Sequence, residues 1–490
     1  MPLAPSLLSA LALSAGVSGT AFPVSGTGFL ESGTSGSPPV SGTRASTKAP
    51  QDPVDRLVAD AMARAHVPGA AVAVVRGGKV LKLGVYGKAE LEHGVKVTPA
   101  TAFQIASTTK LLTGVLLARL VEQGKLSLDD PLSKHLDAVP DTWGAVTLRQ
   151  LATHTSGLPV TEPDPKLGPV PEAARAALAA RPAARPGERA EYGSLDYTVL
   201  AAVLEKVGGK PFPRLLEEEV LGPAGMRDAR FEAARDDGLV RSADVVPGRV
   251  TTYRWSGGVQ RVAWFLYPEY TWAAGGLFAS VRDLAAFVAA LQRGALVSRE
   301  SLARMAEPPT LADGRPGAFG TGCTVGRHRG FRTLGHSGGP ALGDVLLFPE
   351  LDLGVVVLTN QKLLQPELAE LVAELYLPAD RRQPPGPLLA DAAPEATARV
   401  RAVLEGMARG AVDPALLAPA RREDAPLLSE WGPVGVGLWG PLTSLALVEE
   451  RRDARGWTRW YRASFGARDR RIRAALSPAG EVEEVEREPE

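Results

Sequence analysis

The sequence predicts an α+β fold: an antiparallel sheet with a helical subdomain over residues 51–380, then a small α+β accessory domain over residues 390–490. Two observations predict it. Strand-like runs lie near both ends of the first unit, at Ala70–Val75 and Val80–Val85 and again at Thr333–His336, Gly343–Phe348 and Leu353–Leu358, with helical periodicity between them. A single sheet must then draw its strands from distant parts of the chain. A Pro-rich break from Leu377 to Pro387 sets off the last unit, which has a helix-then-strands order of its own.

Each element has a local reason. Residues 1–50 join an apolar, small-residue run from Leu3 to Phe22 to a Gly/Ser/Thr/Pro-rich tract ending at Pro50, the pattern of a signal-like segment and a flexible linker. Export to the periplasm or the medium is the expectation, although no Lys or Arg precedes the apolar run and a cytoplasmic location stays open. Val54, Leu57, Val58, Ala61, Met62 and Ala65 recur at helical spacing until Pro68-Gly69 stops them. Gly77-Gly78 joins the next two apolar runs as a hairpin. From Ser107 an apolar helix runs through Val121, hydrophobic on most faces and therefore expected to be buried. Residues 171–225 read as mostly helical; Arg227 to Trp272 loses periodicity and gains aromatics; a helix follows from Val281 to Gln292. In the last unit a helix over Ala396–Ala408 precedes strands at Ser444–Val448, Trp457–Phe465, Arg471–Leu476 and Val482–Val485.

Composition removes several functions. With 55 Lys+Arg against 55 Asp+Glu, the chain lacks the cationic surplus that nucleic acid or anionic lipid requires. Its 1 cysteine, Cys323, excludes an internal disulfide framework and a thiolate-rich metal site. None of the 6 histidines falls in a His-Glu-x-x-His pattern. No metal, cofactor or integral membrane span is expected.

Short motifs carry the chemistry. Ser107-Thr108-Thr109-Lys110 places a serine where Phe103–Ala106 gives way to the apolar helix, in the positive field of unpaired first-turn N–H groups. Residues three apart share a helical face, so the Lys110 amine can reach the Ser107 hydroxyl. Tyr192-Gly193-Ser194 precedes the apolar stretch Tyr197–Val207; a phenol becomes a useful base only when a neighbouring cation stabilises phenolate, and Lys110 could supply it. Taken alone, Tyr192 reads first as a loop residue capping that helix. Gly335-His336-Ser337-Gly338-Gly339 ends a strand in small residues, so a substrate could approach the main chain there. An N–H at Gly339 would pair with that of Ser107 to hold an oxyanion.

In this order the motifs resemble the active-site set of the serine β-lactamase and penicillin-binding-protein superfamily. The resemblance is to the class C β-lactamase-related branch, which includes esterases and D-amino-acid peptidases. It extends to Phe103–Ser107, Gly124–Asp130, Thr147–Pro159 and Ala274–Leu277, within about residues 51–380. It implies a β-lactamase/transpeptidase-like fold, with Ser107 as the acylated nucleophile and Lys110 and Tyr192 sharing the proton transfers. Ser107 and Gly339 would form the oxyanion hole, with His336, Gly338 and Ser194 lining the substrate site. Ser194 stands where the family usually has Asn, and His336 where β-lactamases usually have Lys. A neutral imidazole at 336 removes a fixed charge for a substrate carboxylate. The expectation is therefore an esterase-like serine hydrolase on a small ester, amide or peptide. A D-amino-acid peptidase, a weak β-lactamase, and a catalytically silent receptor or scaffold are the alternatives.

Other residues have blander readings. His154 is expected to serve a hydrogen-bonded turn, Asp129-Asp130 to cap the turn before Pro131, and Cys323 to pack in a strand close to the cleft. The aromatics between Tyr253 and Trp272 read equally as loop anchors or as a cleft wall. The basic run Arg468–Arg473 reads as the solvated face of a strand and its turn.

Overall fold

The computed structural model describes residues 52–161, 168–236, 241–256, 258–263, 265–339, 343–361, 367–379, 387–453, 456–466 and 468–488. The signal-like segment and linker expected over residues 1–50 lie outside them, as does Trp264.

Helix α1 (Pro53–Ala65) starts with Pro53 at its first position, and its cap Asp52 accepts the Val54 N–H at 2.8 Å. The chain then forms the hairpin β1 (Gly69–Arg76) and β2 (Lys79–Gly87). After the short β3 (Phe103–Gln104) come α2 (Thr109–Glu122), α3 (Leu148–Ala152), α4 (Val170–Leu178) and α5 (Leu195–Gly208). The aperiodic stretch holds a small two-stranded ribbon in which Tyr253–Ser256 pairs with Val259–Val262, and it is followed by β4 (Phe278–Ala279), which pairs with β3. Helix α6 (Val281–Gln292) follows a capping box of Ser280 and Asp283.

The sheet is completed by β5 (Phe319–Gly320), β6 (Cys323–His328), β7 (Phe331–Gly338), β8 (Gly343–Phe348) and β9 (Leu353–Thr359). Its 7 strands run in the order β2-β1-β9-β8-β7-β6-β5, antiparallel throughout. The expected closure of distant strands is thus present: Ala70 of β1 faces Thr359 of β9. β1 reads as an unbroken apolar run because both of its faces are covered. Ala71, Ala73 and Val75 join the core formed with α2, α5 and α6. Ala70, Val72 and Val74 face α1 and α7 (Glu367–Glu374). Helix α2 is buried on nearly every side, from Leu111 through Ala118 and at Leu120.

The last unit opens with α8 (Pro394–Arg409), whose Val400, Val403, Leu404 and Met407 pack on a separate sheet through Tyr461, Ala463, Ile472 and Ala474. That sheet has 4 strands in chain order: β10 (Leu442–Asp453), β11 (Gly456–Phe465), β12 (Arg468–Leu476) and β13 (Val482–Arg487). One expectation holds only in part. Within Arg468–Arg473, Asp469 and Arg471 are exposed, but Arg470 and Arg473 are buried, because β12 is an inner strand flanked by carboxylates. Arg468 and Arg470 each lie 2.8 Å from Glu374 of α7, and Arg473 lies 2.8 Å from both Glu484 and Glu486. With the Arg487–Glu370 pair, Arg468 and Arg470 dock the second sheet on α7, at the back of the first, whereas the Arg473 pairs lie within the second sheet. Among the described residues, no helix is long and apolar enough to cross a membrane.

Candidate active site

Strand β3, pinned to β4, delivers the chain to Ile105. The next residue, Ala106, is fully buried and takes φ 49°, a left-handed conformation that costs energy in a residue with a Cβ. Ser107 follows in a 3-10 turn over Ala106–Thr108 that runs directly into α2. It therefore lies in a tighter turn than the α-helical start expected from sequence, and its N–H is among the unpaired donors of a first turn. Its side chain is only partly covered and makes no hydrogen bond among the described residues.

Lys110, one turn on, is 1% exposed. Its ammonium donates to the Tyr192 hydroxyl at 3.0 Å and to the Ala274 carbonyl at 2.8 Å. The same nitrogen lies 4.7 Å from the Tyr192 ring centroid and 5.3 Å from that of Tyr197. Two of its protons are thus committed, and among the described residues no hydrogen bond joins it to the Ser107 hydroxyl. Tyr192 comes from the loop before α5 and is joined to Lys110 across 82 positions, as the motif order implied.

Strand β7 closes the other side. A Cβ on Gly338 would stand 2.0 Å from the Ile105 carbonyl, so only glycine lets β7 press against the segment ahead of Ser107. Gly339 follows, exposed and facing open space. His336 is 5% exposed, with Nδ1 2.8 Å from the Ser337 carbonyl and its ring centroid 5.9 Å from that of Tyr192. Burial, reinforced by the Lys110 charge, pushes the His336 imidazole down to about 3, so it is neutral at physiological pH. Ser194 sits at the cap of α5 without a side-chain capping bond, and among the described residues no hydrogen bond joins it to Lys110.

Sequence reasoning missed part of the setting. His154 does occupy a tight turn, at φ 57°, but its ring also packs on Tyr192 with centroids 4.7 Å apart. Its Nδ1 lies 2.9 Å from Asp196 Oδ2. Phe319 stands 5.6 Å from Tyr192, and a Cβ on Gly275 would meet the Tyr267 ring at 2.3 Å. The run His154-Thr155-Ser156-Gly157 was visible in the sequence; nothing local tied it to Tyr192. The aromatics divide between the two readings. Tyr253 anchors a loop through Glu92 and the Leu91 N–H, and Trp255 stacks on His66. Tyr267, packed on Phe265, borders the Lys110 carbonyl partner. Cys323 is buried as expected, and burial pushes its thiol up to about 12.

A family model described as Beta-lactamase matches residues 54–377. The chain belongs to the β-lactamase family. Among curated proteins, this β-lactamase-family chain is 34% identical over 196 residues to the D-alanyl-D-alanine-carboxypeptidase/endopeptidase AmpH of Escherichia coli strain K12. That match covers 38% of this chain and 51% of AmpH. It is 29% identical over 191 residues to Protein flp of Staphylococcus aureus strain MW2, covering 37% of this chain and 38% of flp. The chain thus spans about half or less of the length of these curated relatives. Among solved structures, the octameric penicillin-binding protein homologue from Pyrococcus abyssi superposes with TM-score 0.57 at 20% identity, over 86% of this chain and 96% of that one. EstCE1, described as a hydrolase with promiscuous acyltransferase activity, gives TM-score 0.54 at 21% identity, over 66% of this chain and 97% of that one. Fold and family place the chain in the β-lactamase-fold serine hydrolase superfamily.

Proposed function

We propose that this protein is a metal-independent serine hydrolase working through a covalent acyl-enzyme, with an esterase-like preference for a small, neutral acyl substrate. The observation that carries the reading is the 3.0 Å contact between Lys110 Nζ and the Tyr192 hydroxyl, set one turn beyond a serine that opens a buried helix. In acylation the Ser107 oxygen bonds to the carbonyl carbon while its proton passes to the Tyr192–Lys110 pair. The oxyanion accepts from the Ser107 and Gly339 N–H groups. The same pair returns the proton to the leaving alcohol or amine as the carbonyl re-forms. Water then repeats the sequence on the ester and releases the acid.

Substrate preference rests on charge. His336 is neutral and buried, so the strand beside Ser107 offers no fixed cation at this position for a substrate carboxylate. Ser194 supplies no amide for an acyl-amide side chain. Both features favour an ester over a penicillin or a D-Ala-D-Ala terminus. The relation to AmpH keeps a D-amino-acid peptidase as the second reading. A fluorophosphonate probe should label Ser107, and Ser107→Ala should abolish labelling; a folded protein inert to every acylating probe would favour a silent scaffold. With p-nitrophenyl butyrate, nitrocefin and D-alanyl p-nitroanilide run in parallel, the butyrate should turn over fastest. A faster nitrocefin or anilide rate would reverse the preference.

A further inference from the structure

Tyr192 sits in a loop with no regular backbone to aim its phenol, yet its ring has a rigid backing. On one side is His154, 3% exposed, in the turn after α3. The Glu191 N–H donates to the His154 carbonyl at 2.8 Å, so the turn grips the residue next to Tyr192 as well as the ring itself. The imidazole has its own restraint: Nδ1 meets Asp196 Oδ2 at 2.9 Å, and the other oxygen of that carboxylate accepts from the Ser156 hydroxyl. Asp196, also 3% exposed, lies in the first turn of α5, where the helix N-terminus favours a carboxylate. A buried His–carboxylate pair is costly unless each partner satisfies the other, and the scheme above assigns neither a role.

We propose that His154, oriented by Asp196, is the positioning residue that holds the Tyr192 phenol at Lys110. The inference rests on the serine-hydrolase reading for its consequence in catalysis, but not for the seating of the phenol. The groups facing the Tyr192 ring are Lys110 from α2, His154 and Phe319, His336 from β7, Tyr197 from α5, and Tyr267 from the loop before β4. Asp196 stands behind His154. Neighbouring Glu191 pairs with Arg189 at 2.7 Å. Burial chiefly keeps His154 neutral.

Two substitutions test this. His154→Asn keeps an amide donor near the position of Nδ1 and tolerates the left-handed backbone, but removes the ring behind Tyr192. It should lower the single-turnover acylation rate by p-nitrophenyl butyrate at least tenfold while changing KM less than twofold. Asp196→Asn removes the carboxylate that orients the imidazole and should slow the same step, again with KM changed less than twofold. The seating of the phenol is read without catalysis, as the near-ultraviolet circular dichroism difference between each protein and its Tyr192→Phe counterpart, which should shrink in His154→Asn. If the enzyme is never acylated but that difference shrinks, the hydrolase reading fails and the positioning inference stands. An unchanged difference spectrum, or a wild-type acylation rate, in His154→Asn overturns the inference.

Discussion

The Thr108 hydroxyl lies 3.2 Å from the carbonyl oxygen of His336 and donates to it across 228 positions, while meeting the Gly343 carbonyl at 3.1 Å. This buried contact ties the turn carrying Ser107 to both β7 and β8, and thereby sets the width of the space between nucleophile and strand. Thr108→Val keeps the shape and removes the donor. It should cost about 1 kcal/mol in urea unfolding and slow probe labelling of Ser107, because the two walls are no longer tied. Unchanged stability and labelling would mean that the Gly338–Ile105 contact alone sets the spacing.

Lys110 and Tyr192 should act as one unit. Lys110→Met and Tyr192→Phe should each slow acylation by roughly 10²–10⁴-fold, and the double variant should be little worse than either single one. Additive losses in the three proteins would show that the groups move protons independently.

Neighbouring glycines at the end of β7 should respond differently. The Cβ of Gly338→Ala meets the Ile105 carbonyl at 2.0 Å, whereas that of Gly339→Ala meets nothing within 4 Å. Gly338→Ala should therefore lower both the melting temperature and the labelling rate, and Gly339→Ala should leave the melting temperature in place. Equal melting temperatures would show that β7 can retreat from Ser107 without penalty.

A pH dependence of stability arises away from the site. Burial pushes Glu367, in the first turn of α7, up to about 7, helped by the charge of Glu370, against about 4.3 for an unfolded glutamate. The folded state then holds a proton that the unfolded chain has lost. The corresponding stabilisation is full below the lower value and disappears as pH rises through 7. Glu367→Gln is neutral at every pH, so it should match the wild type near pH 4 and melt higher at pH 8. Parallel melting curves over that range would contradict the assignment.

The legible part of this protein is what local pattern controls. The Gly77-Gly78 hairpin, helix Val281–Gln292 and the buried helix after Ser107 follow from periodicity and punctuation, and the structure contains each of them. Ser107, Lys110, Tyr192 and His336 were named because chemistry restricts which residue types can do the work, and the fold brings Lys110, Tyr192 and His336 to one cleft. Their supports were not legible. Asp196 lies 42 positions from His154, and a carboxylate in a helical first turn looks like ordinary capping until its partner is located. The arginines of β12 misled for a related reason: a charge run reads as solvated unless its counter-charges, here on α7 and β13, are already in place.

The pairing of β1 with β9 also bears on how the chain is made. The Gly69 N–H, at the head of β1, finds its acceptor on Asn360, 291 positions later. At cellular translation speeds that interval lasts roughly 15–60 s. Throughout it an apolar strand destined for the middle of a sheet has emerged from the ribosome with only its hairpin mate to cover it. Completion of the first unit is therefore a late event in synthesis, and a nascent chain stalled ahead of β9 presents a sticky open edge to chaperones and to its neighbours on the same message.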